Sequence, residues 1–310
     1  MKTAFVFPGQ GAQYIGMALD FIQSNPQNQE IIAAFDKDHQ TNLFQVMQEG
    51  PEESLKQTSY TQPAILFHSI AALRRFQAHS NVQPAYVAGH SLGEFSALVA
   101  AGMLSTAEAM HLVHKRGEYM IKANAGVPFA MSAIIGLDAQ SVVDICTEAS
   151  SAGLVQAVNF NTPIQTVISG TAEGVAAAGE LAKSKGAKRV LPLVVGGPFH
   201  TPLIAQASLW LYDEMKTLNF KDSSVPIVSN YDALPCTEGA MEREKLAKQI
   251  ISPVRWVQCV EFMVSEGVQR FIEFGPQKVL SGMIKNISKD VEVFSIDKIE
   301  DVDAVVSAIR

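Results

Sequence analysis

The sequence predicts an α/β protein whose large domain is interrupted by a small ferredoxin-like domain. Three observations lead to this prediction. Two early strands are each followed by a glycine-rich turn, a middle segment has the order βαββαβ, and strands and helices alternate again beyond His200. A chain of 310 residues is also long for a single core. We expect residues 1–125 and 199–310 to form one domain and residues 126–198 to form the inserted one.

The elements before the insertion follow from apolar runs and turn residues. Pro63 marks the first turn of an apolar helix, and Ser105 and Glu108 form a capping box at the start of another. In order, the predicted elements are strand Thr3 to Phe7, a helix from Pro63 to about Arg75, strand Tyr86 to Ala88, helix Glu94 to Ala101 and a helix from Ser105 through Lys122.

The pattern changes after Gly126 and Pro128 end that helix. The inserted segment is predicted to contain strand Ala130 to Ile135, helix Gln140 to Ala149, strands Val155 to Asn159 and Gln165 to Ser169, helix Glu173 to Lys185 and a buried strand Arg189 to Val195. The remaining predicted elements are helix Leu203 to Leu218, strand Pro226 to Ser229, helices Glu242 to Gln249 and Val254 to Ser265, strand Gln269 to Phe274, helix Lys278 to Ile287 and strand Val291 to Ser295.

Composition excludes several classes of protein. Hydrophobic residues make up 47% and charged residues 18% of the chain, which suits a globular protein with a sizeable core. The formal net charge of -7 disfavours general nucleic-acid binding, and no apolar run is long enough to span a bilayer. The 3 widely spaced cysteines offer neither a disulfide framework nor a CxxC metal site. We therefore expect a cytoplasmic protein without a bound metal.

A serine flanked by glycines follows the second strand. Gly89-His90-Ser91-Leu92-Gly93 matches G-x-S-x-G between a predicted strand and a predicted helix. The glycines allow a strained turn that projects the hydroxyl at the helix N-terminus, where free amides favour negative charge. We interpret Ser91 as a nucleophile that forms a covalent ester, with the Leu92 amide holding an oxyanion. The alternative is an ordinary serine N-cap beside packing glycines.

A serine hydroxyl is a weak nucleophile until a base takes its proton, and the chain has 7 histidines. His200 lies in a loop beyond a predicted strand end, where α/β folds place their chemistry, so we predict His200 as the general base over a structural role. No acidic residue is similarly placed, so we expect a Ser91/His200 dyad whose imidazole is oriented by a backbone carbonyl or an amide side chain. The other histidines lie in polar, solvent-facing, helical or turn-supporting contexts: His39, His68, His79, His90, His111 and His114.

One charged residue lies on the apolar face of the helix after Ser105. An unpaired buried guanidinium is costly, and its planar fork fits a carboxylate. We hypothesise that Arg116 binds a free carboxylate on the substrate; the alternative is a salt bridge to a buried Asp or Glu of this protein. The opposite, outer stripe of the helix carries His111, His114, Lys115, Glu118 and Lys122.

The first glycine-rich turn, Pro8 to Gln13, also follows a strand. A dinucleotide-binding G-x-G-x-x-G would require glycine where Tyr14 stands, so that function is excluded. If this turn brings Gln10 over the serine, its backbone amide would supply a second oxyanion donor.

Motif segments along nearly the whole chain support one family. They are Phe7-Pro8-Gly9-Gln10-Gly11, Gly89-His90-Ser91-Leu92-Gly93-Glu94, Arg116-Gly117, Asn159-Phe160-Asn161, Pro198-Phe199-His200 and Gly275-Pro276. Together they resemble the malonyl-CoA:acyl carrier protein transacylases, the acyltransferase family of fatty-acid and polyketide synthesis. The resemblance implies an α/β-hydrolase-like large domain with a parallel sheet, an inserted ferredoxin-like domain, and malonyl-CoA as a substrate with no cofactor.

The resemblance also implies roles for particular residues. Phe199 resembles the malonyl-selective form, whereas Gly196-Gly197 and Thr201 depart from the family's pattern and leave the acceptor and fine selectivity open. The implied site residues are Ser91 as nucleophile, His200 as base, Arg116 as carboxylate clamp, the amides of Gln10 and Leu92 as oxyanion donors, and Gln249 as support for the histidine.

The implied reaction moves malonyl from malonyl-CoA to the phosphopantetheine thiol of an acyl carrier protein through an acyl-serine. We expect a monomer that binds neither nucleic acid nor membrane. An acyl hydrolase of the same fold and a non-catalytic docking scaffold are the rival functions, and the pathway, fatty acid or polyketide, stays open. Carrier proteins are acidic, so docking requires a local basic patch. The candidates are Lys183, Lys185, Lys188 and Arg189, or Lys278 and Lys285, with an ordinary solvated face as the alternative.

Overall fold

The computed structural model describes residues 1–124 and 126–309; residues 125 and 310, where two predicted domain segments end, lie outside the described residues. The elements before the insertion are β1 (Thr3–Phe7), α1 (Leu19–Ser24), α2 (Pro26–His39), α3 (Leu43–Glu49), α4 (Glu52–Leu55), α5 (Thr58–Gln77), β2 (Tyr86–Gly89), α6 (Gly93–Ala100) and α7 (Thr106–Lys122). The next elements are β3 (Phe129–Ile135), α8 (Ala139–Ala149), β4 (Val155–Thr162), β5 (Gln165–Thr171), α9 (Ala172–Ser184) and β6 (Arg189–Pro192). The remaining elements are a 3₁₀ turn (Pro202–Ile204), α10 (Ala205–Met215), β7 (Ile227–Val228), β8 (Pro235–Cys236), α11 (Gly239–Gln249), α12 (Trp256–Ser265), β9 (Arg270–Phe274), α13 (Val279–Ile287), β10 (Glu292–Ile296) and α14 (Ile299–Ala308).

The large sheet brings the two glycine-rich turns together. Its strand order is β10-β9-β1-β2-β7-β8, and neighbouring strands are parallel except for the antiparallel pair β7 and β8. Phe7 at the end of β1 pairs with Gly89 at the end of β2. Because parallel strands finish at the same edge of a sheet, the turns that follow them emerge side by side.

The small sheet has the order β4-β5-β3-β6 with antiparallel neighbours. Side chains alternate along a strand, so Ile134 packs beneath α8 and α9 while Met131 and Ala133 face the core of the large sheet's helices. The small sheet is therefore seated on the main core. These two sheets confirm the predicted α/β class with a parallel-containing sheet and a ferredoxin-like βαββαβ unit.

Helix α5 begins at Thr58, so the expectation that Pro63 lies in its first turn is wrong. Proline has no N–H, which leaves the carbonyl of Ser59, four residues earlier, without its helical donor. The Nδ1 of His114 lies 3.1 Å from that oxygen and supplies the missing bond. The prediction that His114 faces solvent is also wrong: its ring packs against Phe35 because α2 covers this face of α7, and the residue is 6% exposed.

Strand β6 differs from the predicted buried strand Arg189 to Val195. It ends at Pro192 and lies at the edge of the small sheet, so its side chains are largely exposed, and Val194 beyond it is 98% exposed. Helices α1 to α4 were not predicted. Within residues 1–124 and 126–309, none of the helices combines the length and apolar character needed to cross a bilayer.

Candidate active site

Glycines fix the turn that carries Ser91. The serine has a φ of 51°, in the left-handed region that residues with a Cβ seldom adopt. A Cβ on Gly89 would lie 1.8 Å from the carbonyl carbon of Gly93, and one on Gly93 would lie 2.0 Å from the carbonyl oxygen of Phe7. Only glycine at both positions allows β2 to turn into α6 so close to β1. The Ser91 hydroxyl is thereby presented at the N-terminus of α6.

His200 meets Ser91 from the loop beyond β6. Its Nε2 lies 2.9 Å from Ser91 Oγ, although 109 positions separate the two residues in the chain. Its Nδ1 lies 2.8 Å from the backbone carbonyl oxygen of Gln249, so Nδ1 carries the ring proton and donates a hydrogen bond to that carbonyl. The lone pair on Nε2 is then free to accept the proton of Ser91. Within the described chain, the ring's partners include no carboxylate.

The imidazole of His200 is neutral at physiological pH. The residue is 3% exposed, and burial, followed by the positive charge of Arg116, lowers its pKa from 6.5 to about 3. A φ of 62° marks this residue, like Ser91, as held in a strained conformation. Thr201 steadies the loop by donating from Oγ1 to the carbonyl of Pro198 at 2.7 Å. A neutral ring is the form that can act as a base.

Arg116 points into the site from α7 and is 1% exposed. Its Nη2 donates to Ser91 Oγ at 2.9 Å and to Gln249 Oε1 at 3.0 Å, and its Nη1 donates to Gln62 Oε1 at 2.9 Å. The Nε–H is buried without an acceptor, and none of the ion pairs in residues 1–124 and 126–309 involves this arginine. Burial lowers its pKa to about 10, so it remains charged at neutral pH.

Two backbone amides among the residues around Ser91 have no acceptor in the described chain. The N–H groups of Gln10 and Leu92 make no hydrogen bond to another described residue. Both residues line, together with Ser91, a cavity of about 110 Å³. The first turn can approach this closely because Gly9 has no Cβ, which would lie 2.4 Å from the carbonyl oxygen of His90. Free backbone donors in a cavity beside a hydroxyl can stabilise an oxyanion formed there.

A buried carboxylate that sequence reasoning left without a role supports this turn from behind. Oε2 of Glu94 accepts hydrogen bonds from the Asn230 backbone N–H at 2.8 Å and from Gln249 Nε2 at 3.0 Å. Asn230 in turn accepts the Ser91 N–H on Oδ1 at 2.7 Å and donates from Nδ2 to the carbonyl of Gly89 at 2.7 Å. Gln249 Nε2 also donates to the Ser91 carbonyl at 3.1 Å.

Sequence reasoning also missed Gln62 and Asn230. A usable signal existed for Glu94, because it is the one charged residue of the short, largely apolar helix α6. Gln62 lies among several other polar residues of α5, so its position gave no such signal. Asn230 follows a two-residue strand and carried no such signal.

Other parts of the molecule do not add to this site. A larger cavity of about 670 Å³ lies between α2 and α7 and contains none of the predicted site residues. In the part of the chain that the structure describes, no cluster of three or more His, Cys, Asp or Glu side chains could hold a metal ion.

Transfer of an acyl group by way of a serine ester is the chemistry that this edge of the sheet supports, and the class of protein is an acyltransferase. The family model for the acyl transferase domain matches residues 4–304. The malonyl CoA-acyl carrier protein transacylase of Bacillus subtilis is 42% identical over 310 residues, which cover 100% of this chain and 98% of that protein. The chain belongs to the malonyl CoA-acyl carrier protein transacylase family.

Solved structures agree with this assignment. The malonyl CoA-acyl carrier protein transacylase of Coxiella burnetii is 37% identical, superposes with a TM-score of 0.95, and is matched over 97% of its chain by 99% of this one. A second solved structure is that of a type II polyketide synthase acyl carrier protein in complex with its malonyl-transacylase. A chain of that complex superposes with a TM-score of 0.95 at 37% identity, and the match covers 99% of this chain and 100% of the matched chain.

Proposed function

We propose that the enzyme moves the malonyl group of malonyl-CoA onto the phosphopantetheine thiol of an acyl carrier protein through an ester on Ser91. The observation that carries this proposal is the guanidinium of Arg116, whose Nη2 lies 2.9 Å from Ser91 Oγ. In malonyl, one methylene separates the thioester carbonyl from the free carboxylate. A guanidinium at this distance can therefore hold the carboxylate while the hydroxyl attacks the carbonyl.

The first half of the reaction loads Ser91. His200 Nε2 takes the proton of the Ser91 hydroxyl as the oxygen attacks the thioester carbon. The negative oxygen of the tetrahedral intermediate is stabilised by the amides of Gln10 and Leu92. The carbon–sulfur bond then breaks, and the proton on Nε2 passes to the departing CoA thiolate. Malonyl-CoA enters between the two predicted domains, because the cavity is lined from both sides of the chain.

The second half reverses these steps with a different thiol. The phosphopantetheine thiol gives its proton to His200 and attacks the ester carbonyl, and Ser91 recovers its proton when the ester bond breaks. Each step uses only CoA, the carrier protein's thiol, the acyl group and the side chains and backbone amides of this enzyme. Transfer is favoured over hydrolysis because His200 is 3% exposed in a cavity of about 110 Å³, which limits the access of water to the ester.

Phe199 limits the acyl group to unbranched malonyl. The residue is 7% exposed and lines the same cavity as Ser91 and Arg116. A methyl branch next to the thioester would require space that the phenyl ring occupies. Replacement of Phe199 by a smaller residue should therefore improve loading from methylmalonyl-CoA relative to malonyl-CoA.

The carrier protein docks at Lys188 and Arg189 in this proposal. Both are exposed at the start of β6 and form no ion pair within the described chain, whereas the neighbouring lysines are paired with Glu180 and Glu148. The same stretch of chain continues to Leu193, which lines the cavity. An acidic carrier protein held there would have a short path for its arm to Ser91. Charge reversal at both positions should raise the KM for carrier protein.

We place the limits of the two domains at residues 1–125 with 199–310 and at residues 126–198. The support for these limits is that the four-stranded sheet uses only strands between Phe129 and Pro192, and that the other sheet uses only strands outside them.

Intact-mass spectrometry tests the proposed function directly. Wild-type enzyme mixed with malonyl-CoA should gain one malonyl group, and the label should leave rapidly when holo carrier protein is added and slowly in water alone. Ser91→Ala should take no label. Ser96→Ala is the matched control, since Ser96 lies on the same helix and its Oγ has no partner among the described residues. Label loss at the same rate with and without carrier protein would instead indicate a hydrolase.

A further inference from the structure

A second glutamate lies behind the active site and has no role in the proposed mechanism. Glu242 on α11 is 0% exposed, and neither of its carboxyl oxygens receives a hydrogen bond from any described residue when the group is treated as a carboxylate. Gln249, seven residues further along the same face of α11, donates to Glu94 Oε2 at 3.0 Å, and burial, the charge of Glu94 and a hydrogen bond to it all raise the pKa of Glu242. An ionised carboxylate in this position would be buried without a donor beside another anion, which is strongly unfavourable.

Glu94 has the opposite environment. Its Oε1 accepts from Ser229 Oγ at 3.0 Å, and its Oε2 accepts from Asn230 and Gln249. Three donors make Glu94 the better place for a negative charge. The proton of the pair therefore belongs on Glu242.

We propose that Glu242 is a protonated carboxylic acid that donates a hydrogen bond to the Glu94 carboxylate, and that it acts as a positioning residue for the active site. Glu94 holds Asn230 and Gln249, which in turn contact Ser91 and Arg116. One shared proton thus keeps a single negative charge behind the site. The inference rests on the proposed function only where it predicts rates of Ser91 acylation.

Other ionisable groups face the pair from the surrounding elements. Lys245 on α11 and Cys236 on β8 act on Glu242, while Arg116 on α7 and Cys259 on α12 interact with the charge of Glu94. Lys245 is already engaged by Asp232 at 2.9 Å, and burial together with the charge of Glu94 raises the pKa of the Cys259 thiol. The groups around the pair therefore do not provide Glu242 with a counter-charge of its own.

Because of this pair, stability and activity should both fall at alkaline pH. Burial, then the charge of Glu94, raises the pKa of Glu242 well above 4.5, so the folded protein binds this proton more tightly than the unfolded chain. The stabilisation is fully present below pH 4.5 and is lost as pH rises through the raised value. Loss of the proton places two anions in contact and disturbs Asn230 and Gln249.

Three variants and two measurements test the inference. Glu242→Gln keeps a donor but cannot ionise, Glu242→Leu removes the donor, and Glu244→Gln changes an exposed glutamate on the same helix as a control. Infrared spectra at neutral pH should show the carbonyl stretch of a carboxylic acid in wild type that is lost in Glu242→Gln and kept in Glu244→Gln. This measurement does not depend on any enzymatic activity.

The second measurement is the pH profile of Ser91 acylation. Wild type should lose kcat/KM as the shared proton is lost at alkaline pH, Glu242→Gln should keep it, and Glu242→Leu should be slower by roughly tenfold at neutral pH, as expected for one buried hydrogen bond to a charged group. If Glu242→Leu does not fold, the infrared band and the Glu242→Gln profile decide the question.

Absence of the infrared band in wild type, or a Glu242→Gln profile identical to wild type, would overturn the inference. Failure of the proposed function appears differently, because wild-type enzyme would then take no malonyl label while the infrared band is still present.

Discussion

Replacing Arg116 with alanine should convert the enzyme from one that prefers malonyl to one that no longer distinguishes malonyl from acetyl. The guanidinium Nη2 lies 2.9 Å from Ser91 Oγ, and the guanidinium is already held in place by Gln62 and Gln249. Acetyl has no carboxylate, so its transfer does not use this contact. The substitution therefore changes one substrate's transition state and leaves the other largely unaffected.

The size of the effect follows from the donors that Arg116 has left. Of about five guanidinium N–H groups, three are used by Gln62, Ser91 and Gln249, which leaves two for a carboxylate. A hydrogen bond to a charged group contributes about 1.5–3 kcal/mol. Two such bonds correspond to roughly 3–6 kcal/mol, or a change in the malonyl-to-acetyl preference of about a hundredfold to ten-thousandfold.

Rapid-quench measurement of Ser91 acylation by malonyl-CoA and by acetyl-CoA gives the two values of kcat/KM for each variant. Lys122→Ala is the matched control, because it removes a positive charge from the exposed end of the same helix. Its preference should equal that of wild type. An Arg116→Ala enzyme that folds, acylates and still prefers malonyl as strongly as wild type would refute the role given to the guanidinium.

Further predictions concern the base, the turn and its support. In the proposed mechanism neutral His200 is the base, and its pKa is lowered to about 3, so acylation of Ser91 should show no acid limb near pH 6.5 in stopped-flow measurements; such a limb would contradict the proposed role. Gly93→Ala should lower the Tm sharply because its Cβ has no space, whereas Gly282→Ala, in an open helical position, should not. Asn230→Ala should slow labelling of Ser91 by roughly tenfold or more with little change in KM for malonyl-CoA, since it removes a bond to the Ser91 amide.

The parts of the fold that the sequence predicted are those with strong local signals. The strands that precede the two glycine-rich turns, and the helix after the capping box at Ser105, have apolar runs and defined ends, and the structure has them within a residue or two. Between Leu19 and Leu55, helices α1, α3 and α4 are only 6, 7 and 4 residues long, and the 14-residue α2 is mostly polar, so their stability depends on packing against α5 and α7. Such dependence on distant contacts is not visible in a local pattern.

The site shows the same limit more sharply. The place of Ser91 between a strand and a helix was predictable from the spacing of its flanking glycines, and the burial of Arg116 from its place in an apolar stripe. That the buried faces of α6 and α11 enclose a pair of carboxyl groups, however, depends on how those helices are brought together by the sheet. The sequence shows that residue 242 is a glutamate, but it does not show which residue lies beside it in the fold.

The choice of a backbone carbonyl to orient His200 has a consequence for the substrate. A carboxylate at Nδ1 would raise the pKa of the imidazole and place an anion close to Arg116, where it would compete with the malonyl carboxylate. The carbonyl of Gln249 holds the same tautomer without adding charge. The buried anion of Glu94 makes no hydrogen bond to the guanidinium among the described residues, because the Gln249 amide lies between them, accepting from Arg116 and donating to Glu94. A serine and histidine pair without an acid is therefore the arrangement that leaves the arginine's charge available to an anionic acyl group.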